Sequence, residues 1–204
     1  IRQKIVGFNA PFFMLKAGNE NIYEADPLNE KQNILTEIDG IKGIKQTVPV
    51  LYKPALLRSD KIIEERNDKG RKTELEKQEV SGVVLKGISE NYPKSYLKSI
   101  LTDGNVPSFD QNQNEIYLPK RICSDLNFEV GDDIAVFFVK NRSLMQRFKI
   151  IGIFETGVDK IDQQIVFAPL KKVQELSDFA SRNGGNTHFV SGFEIHIEDW
   201  ESLE

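Results

Sequence analysis

The chain has 204 residues, of which 39% are hydrophobic and 28% charged, with a formal net charge of −4 and a single cysteine. That length and hydrophobic content are sufficient for one large or two small globular domains. The acidic balance argues against nucleic-acid binding, because phosphate contacts need clustered lysine and arginine residues. The lone cysteine, Cys123, excludes an intramolecular disulfide, and we predict that it is a buried helix residue.

The first part of the chain has the pattern of a strand, a helix and a second strand. An apolar strand is predicted at 12–15, and Asp26-Pro27 is typical of a helix start, with the aspartate as the cap. Gly40 then ends the helix. A further strand is predicted at 47–57, where two prolines indicate an edge or bent strand. These segments predict a βαβ unit.

A similar order returns in the last part of the chain. A strand is predicted at 164–167, a helix opens at Pro169, and a strand is predicted at 192–197. Two βαβ-like units at opposite ends of a chain favour a split-βαβ arrangement, in which both ends form one subdomain. We therefore predict an α+β fold with two lobes, the first made of residues 1–54 and 155–204.

The second lobe, residues 55–154, is predicted to be a β-rich insertion. One β-hairpin is expected between residues 55 and 88. Another is expected at 134–154, where two runs of β-branched and aromatic residues follow a Gly-Asp turn signal. Two short helices are predicted at 95–101 and 119–126.

The tip of the first hairpin, residues 64–79, is densely charged. Its 16 residues include six acidic and five basic ones, which leaves a net charge of −1. Mixed charges around the turn at 67–70 are typical of a solvated loop. We therefore interpret the tip as a solvated loop rather than a dedicated docking surface.

The sequence has no motif with the spacing of a catalytic or metal-binding site. His188 and His196 lie in no motif with a serine or with the cysteine, and the alternation of His196 with isoleucines predicts a solvent-facing strand residue. Glu155, Asp159 and Asp162 lack the spacing of a calcium loop and predict an ordinary turn. No phosphate-binding glycine loop is present. We therefore expect no enzyme activity, no cofactor and no metal.

Several short motifs along the chain are informative through their order. They are Lys4–Asn9, Val83–Ile88, Gly131-Asp132 before a strand, Gln146-Arg147-Phe148, Gly152–Gly157 and Val190–Ile197. Together they resemble the periplasmic domains of lipoprotein-releasing (LolC/LolE-type) ABC transporter permeases, which belong to a wider group with the MacB macrolide exporters. Leu118-Pro119 departs from the pattern, since the family usually has a glycine after the leucine.

The resemblance implies a porter-like subdomain formed by both chain ends and an inserted sabre-like subdomain. It also implies a periplasmic domain of an inner-membrane protein, with transmembrane helices outside both ends. The start at Ile1 and the helix-like beginning at Asp199 fit that expectation of a piece of a longer chain. The implied partners are a separate cytoplasmic ATPase, a second permease subunit, and a periplasmic lipoprotein carrier or cargo lipoprotein.

The resemblance further implies a partner-binding site. In the permease subunit that receives the lipoprotein carrier, a proline-flanked extension, the hook, joins the two strands of the 134–154 hairpin, and a Gln-Arg pair after it belongs to a docking pad. Gln146 and Arg147 match that pair, beside Arg142. The hook is not matched, since only Lys140–Met145 joins the strands. Partner binding at these three residues and an ordinary hairpin both remain open.

Two other functions remain open from the sequence. The first is a MacB-like efflux permease, whose periplasmic domain contacts an adaptor protein. The second is a secreted hydrolase that uses carboxylates such as Glu155 and Asp159. Neither the cargo nor the choice between homodimer and heterodimer follows from the residues.

Overall fold

The computed structural model of the chain describes residues 12–19, 21–23, 25–66, 72–106, 109, 114–138, 144–179, 184–185 and 187–198. The strands are β1 (Phe12–Met14), β2 (Leu28–Asn29), β3 (Ile44–Arg66), β4 (Lys72–Ile88), β5 (Leu101–Gly104), β6 (Glu115–Pro119), β7 (Asp133–Phe138), β8 (Leu144–Phe154), β9 (Ile165–Pro169), β10 (Phe189–Val190) and β11 (Gly192–Ile197). The helices with described bounds are α1 (Ile34–Asp39), α2 (Lys94–Ile100), α3 (Lys120–Leu126), α4 (Asp159–Asp162) and α5 (Leu170–Leu176).

The hairpin predicted at 134–154 is present as the antiparallel pair β7 and β8. It follows a turn in which Gly131 has a φ of +98°, a conformation that residues with a Cβ seldom adopt. Along β7, Ile134, Val136 and Phe138 are buried on one face, as the period of two requires.

The other predicted hairpin, β3 with β4, is longer than the sequence indicates. The segments predicted as separate strands at 47–57 and after residue 55 are one continuous strand that begins at Ile44. β3 and β4 pair in an unbroken antiparallel register from Val50–Ile88 to Arg66–Lys72. In the described part of the chain, β3 beyond Arg58 pairs with β4 alone, so the hairpin continues as a two-stranded ribbon. Its tip at 67–71 lies outside the described residues.

Six strands close into a ring that the sequence does not indicate. The order around the ring is β3, β4, β9, β6, β8 and β7, and β7 pairs back onto β3 from Leu56–Phe137 to Arg58–Ala135. Two neighbouring pairs, β4 with β9 and β6 with β8, are parallel. Closure pairs both edges of each ring strand over part of its length, which leaves less open strand edge for unwanted pairing.

Two hydrophobic clusters pack on opposite faces of the ring strands. One cluster takes residues from all six strands and therefore fills the interior of the ring; Leu57, Leu85, Ile116, Val136, Ile150 and Val166 are among its members. Cys123 of α3 belongs to this cluster, which confirms the prediction of a buried helix cysteine. The other cluster lies on the outer face, where α2 covers the start of β3 and the end of β4.

The two ends of the described chain attach to this ring side by side. β1 pairs antiparallel with β11, and β11 pairs antiparallel with the first part of β3. The predicted helix start at Asp26 is wrong, because Leu28–Asn29 instead pairs with β10 and α1 begins only at Ile34. Strand pairing with a distant segment has here overridden a local capping signal.

The fold is mixed α/β and is dominated by one large sheet. β3 runs across residue 54 without a break. The division into a lobe of residues 1–54 with 155–204 and a lobe of residues 55–154 stays a prediction.

Two glycines of the ring give a matched test of its packing. A Cβ at Gly152 would lie 2.5 Å from Cε1 of the buried Tyr117 ring, whereas a Cβ at Gly82 would meet no atom within 4 Å. We expect Gly152→Ala to lower the free energy of unfolding by about 1–3 kcal/mol through overpacking. Gly82→Ala should be neutral or stabilising by up to about 1 kcal/mol. Urea unfolding of both variants checks this, and equal stabilities would contradict the close approach.

Candidate functional site

The predicted docking residues that the structure describes lie on β8. Arg147 is exposed and points away from the ring interior, opposite Ala135 of β7. Gln146 precedes it and therefore points to the other face, where it is half-buried and its Nε2 donates to the carbonyl oxygen of Arg147 over 3.1 Å. Arg142 lies outside the described residues. The structure therefore presents Arg147, but not Gln146, on the outer face.

A second arginine lies in the same cross-strand row as Arg147. Ala135 pairs with Arg147 on one side and with Arg58 of β3 on the other. The Cζ atom of Arg58 lies 4.7 Å from the centroid of the Phe137 ring, a cation–π geometry that contributes about 0.5–1 kcal/mol at an exposed site. The row therefore carries two planar guanidinium groups, the side chain best suited to carboxylates.

A buried ionic cluster lies on the same outward side of the sheet, covered by Tyr92, which precedes α2. Lys86 of β4 and Glu194 of β11 are fully buried, with 2.6 Å between Nζ and Oε1. Tyr52 of the intervening strand β3 donates its hydroxyl proton to the same Oε1 over 3.1 Å, and Lys86 donates to the hydroxyl of Tyr92 over 2.9 Å. The rings of Tyr52, Tyr92 and Phe167 lie 4.9–5.8 Å from Nζ, so cation–π attraction adds to the ion pair.

Burial and pairing shift the ionisation of each of these groups. Burial lowers the pKa of Lys86, and the attraction of Glu194 offsets this only in part. Burial acts to raise the pKa of Glu194, but Lys86 and His196 together outweigh it, so that this pKa is lowered. Burial also raises the pKa of Tyr52 and Tyr92 well above their usual value, and the charge of Glu194 adds to the increase. At neutral pH the cluster therefore holds an ion pair and two neutral phenols.

His196 is buried, so the prediction of a solvent-facing strand residue is wrong. Its ring meets Tyr92 edge to face, with 5.8 Å between centroids. Its Nε2 lies 3.6 Å from Oε2 of Glu194, too far for a hydrogen bond. Both atoms are buried without a hydrogen-bond partner among the described residues. Tyr92 covers this face of β11, which the alternation of the strand alone cannot indicate.

A cavity of about 420 Å³ is lined by residues outside the ionic cluster, among them Glu30, Gln174 and His188. Gln174 donates from Nε2 to Oε2 of Glu30 over 2.9 Å, and Nδ1 of His188 lies 2.5 Å from Oε1 of Glu30. Both carboxylate oxygens are therefore engaged within the chain. These contacts tie the β2–β10 pair to α5, which is a structural arrangement rather than a nucleophile and its base.

The prediction of an ordinary turn for the three acidic residues after β8 is only partly right, because Asp159 and Asp162 lie in the short helix α4 that follows the turn. The carboxylate of Asp162 accepts hydrogen bonds from the backbone N–H and the hydroxyl of Thr156 and from the N–H of Gly157, all within 2.9 Å. Among the described residues, no group of three or more His, Cys, Asp or Glu side chains could hold a metal ion.

Sequence reasoning missed the Lys86–Glu194 pair. A weak signal was present, because Lys86 interrupts the apolar run Val83–Ile88 and Glu194 stands between Phe193 and Ile195. Isolated charges within strands usually point to solvent. Only the register that puts Lys86 opposite Tyr52 and Glu194 opposite Val48 brings the two charges together.

Comparison with known sequences gives two related proteins of one kind. The chain is 26% identical over 102 residues to the lipoprotein-releasing system transmembrane protein LolC from two strains of Xylella fastidiosa. The match covers 46% of this chain and 25% of those proteins, so the chain matches about a quarter of their length. No protein-family model matches the chain.

Comparison with solved structures gives the same class of protein. The extracellular domain of the noncanonic ABC-type transporter YknZ from Gram-positive bacteria covers 94% of this chain, with 84% of its own length matched, a TM-score of 0.50 and 14% identity. The periplasmic region of MacB from Actinobacillus actinomycetemcomitans covers 96%, with 78% of its own length matched, a TM-score of 0.53 and 14% identity. At such identities the likeness shows a shared fold.

These findings define a class and then a closer resemblance within it. The fold is that of the extracytoplasmic domains of MacB-like ABC-type transporter permeases. Within that class, the sequence resembles LolC, as the motifs predict. The names of these relatives describe parts of transport systems, in agreement with the non-enzymatic chain that we expect. Among the described residues, no helix has both the length and the apolar character needed to cross a bilayer.

The buried ion pair can be tested by removing one or both charges. Lys86→Met leaves Glu194 buried and uncompensated, and we expect a loss of about 3–5 kcal/mol in the free energy of unfolding. Lys86→Met combined with Glu194→Leu should cost less than the sum of the two single changes, because neither charge then remains. Glu198→Gln, on the exposed end of the same strand, should change stability by less than about 0.5 kcal/mol. Additive losses in urea unfolding would contradict the pairing.

The lowered pKa of Glu194 predicts a specific pH dependence of stability. A carboxyl group with a lowered pKa in the folded state stabilises the fold above its ordinary value of 4.5, and this contribution is lost as the pH falls through the lower folded value. The melting temperature of the wild-type chain should therefore fall below about pH 4.5 more steeply than that of the Lys86→Met, Glu194→Leu double variant. Melting temperatures of both proteins, measured at on the order of ten pH values between pH 3 and pH 7, check this. The same dependence of melting temperature on pH in the two proteins would refute it.

Proposed function

We propose that this chain is the periplasmic domain of an inner-membrane ABC transporter permease of the lipoprotein-releasing type. The sequence match to LolC carries the proposal, and the MacB-like fold supports the wider class. In this role the chain hydrolyses no nucleotide. A separate cytoplasmic ATPase drives the cycle, a second permease subunit completes the transporter, and transmembrane helices outside the present chain anchor it.

Within that role, we propose that the outer face of β8 contacts a periplasmic lipoprotein carrier. Arg147 is exposed at the centre of this contact, and Gln146 supports it through the bond to the Arg147 carbonyl. Arg142, in the connection between β7 and β8, is included on the family pattern. An exposed arginine offers a fork of donors to carboxylates or carbonyls of the carrier.

The short β7–β8 connection shapes this proposal. Only residues 139–143 lie between the end of β7 and the start of β8, too few for the hook of the carrier-receiving subunit. Docking would then use the strand face rather than a projecting hairpin. We further propose that residues 1–54 and 155–204 form a porter-like part and residues 55–154 a sabre-like part.

A MacB-like efflux permease is the second candidate function. The likeness to the periplasmic region of MacB favours it, and in that case the same domain would contact an adaptor protein. The full-length gene separates the two candidates. Four transmembrane helices with a separately encoded ATPase support the lipoprotein-releasing type, whereas an ATPase fused to the same chain supports the efflux type.

Charge reversal at Arg147 tests the docking role. We expect Arg147→Glu to weaken binding to the cognate periplasmic lipoprotein carrier by about 2 kcal/mol or more if the contact is desolvated, since a buried charge would then face its partner with the wrong sign. That corresponds to a rise in Kd of roughly thirtyfold. The measurement is a calorimetric titration of the carrier into the folded chain.

Arg121→Glu is the matched control, because Arg121 is exposed on α3 and is outside the proposed contact. This variant should keep the wild-type Kd. Thermal melting should first show that both variants are folded. Equal affinities of the wild-type chain and Arg147→Glu, or no binding by either, would remove Arg147 from the site.

A further inference from the structure

We propose that the docking surface extends from Arg147 across four strands and receives an acidic partner segment with apolar side chains. This inference rests on the proposed function and names the chemistry of the partner. The surface is the outward face of β4, β3, β7 and β8 where the ribbon leaves the ring, and we call it the ribbon-base face.

Cross-strand pairing arranges the ribbon-base face in two rows. In the first row, Gly82 pairs with Leu56, Leu56 with Phe137, and Phe137 with Met145. In the second row, Val80 pairs with Arg58, which connects through Ala135 to Arg147. Paired residues of neighbouring strands point to the same face. An apolar row therefore runs beside a row that carries two guanidinium groups.

The apolar side chains of this face remain exposed. The exposed fractions are 37% for Leu56, 46% for Met145 and 57% for Val80. A Cβ added to Gly82 would meet no atom within 4 Å, so the first row ends in open space beside Leu56. Side chains on the opposite face of the same strands, such as Leu57 and Val136, fill the ring core. The core therefore does not need these outer apolar residues, and such clusters typically mark interaction sites.

The charge of the ribbon-base face is opposite to that of the whole chain. Among the described residues, Arg58, Arg147 and Lys149 contribute three cationic groups, against two carboxylates, Asp133 and Glu115, which both pair with Lys149. The chain as a whole has a net charge of −4. Complementarity then favours a partner that presents carboxylates beside its apolar residues.

A protein segment fits this face better than a lipid surface does. Interfacial membrane binding typically uses a helix with a long apolar stripe and many lysine or arginine residues. Here the apolar residues form one short row across four strands, about 14 Å wide at the usual strand spacing, with Val80 beside it in the second row.

The test compares two exposed apolar pairs. The Leu56→Ser, Met145→Ser variant removes the apolar row without changing charge. The Ile34→Ser, Ile41→Ser variant is the control, since these residues are 49% and 55% exposed outside the face. We expect at least a tenfold rise in the Kd for the carrier with the first variant and less than a twofold change with the control. Equal changes in Kd with the two variants would overturn the inference. A loss of carrier binding with Arg147→Glu but not with Leu56→Ser, Met145→Ser would also overturn it, and would leave the proposed function standing.

A failure of the carrier to bind the wild-type chain would count against the proposed carrier contact and not against the chemistry of the ribbon-base face. A second probe tests that chemistry directly. A twelve-residue synthetic peptide of alternating leucine and glutamate should shift the amide NMR signals of Val80, Gly82, Leu56 and Met145. The control is a peptide of the same length with alternating leucine and lysine, which should not shift these signals. Equal shifts with both peptides, or none with either, would overturn the inference. Binding to phosphatidylglycerol vesicles that the Leu56→Ser, Met145→Ser variant abolishes would assign the face to a membrane and also overturn it.

Discussion

The ion pair between Lys86 and Glu194 constrains the arrangement of the sheet more than any other contact described above. Each buried charge costs several kcal/mol to desolvate, so the fold is stable only if the two charges meet. They meet because β3 separates their strands and contributes Tyr52, which bonds Glu194 from between them. A slip of β11 by one residue would turn Glu194 to the other face, beside the ring interior. The pair therefore specifies the register of β11, and with it the position of β1, at a cost in desolvation that the surrounding aromatic rings reduce.

β3 is the element through which this constraint reaches the rest of the molecule. Its first part, Ile44–Val50, pairs with β11, and Leu56–Arg58 pairs with β7. The two contacts are about 20 Å apart at the rise of an extended strand, and β3 is continuous between them. The strand next to the C-terminal end of the described chain and the face that carries Arg147 are therefore connected by one unbroken run of backbone hydrogen bonds.

Sequence patterns were sufficient for the local elements and insufficient for their assembly. The hairpin at 134–154 followed from its two apolar runs and the Gly131 turn, and the burial of Cys123 followed from its helix. Ring closure did not follow, because the pairings of β4 with β9 and of β6 with β8 join distant segments that carry no mutual signal. The ionic cluster and the burial of His196 were missed for a related reason: a charged or imidazole side chain in a strand indicates solvent unless the covering element is known. Adjacent residues such as Gln146 and Arg147 read as one site in sequence, yet the period of a strand puts them on opposite faces.

The outward face of β3 shows how one strand can serve both core and surface. Tyr52 and Leu56 lie on the same face, separated by a multiple of the strand period. Tyr52 is buried within the outer cluster, where the ring of Tyr23 meets it edge to face with 5.3 Å between centroids, whereas Leu56 is 37% exposed. The outward face therefore stays hydrophobic at Leu56, where burial has ended. The next pair along the strands, Arg58 with Val80, includes a further exposed apolar side chain. Polar residues at Leu56 and Val80 would satisfy the fold equally well and would lower the risk of aggregation, so folding alone does not account for the apolar character of this face. A partner that covers this face, as we propose, would account for it.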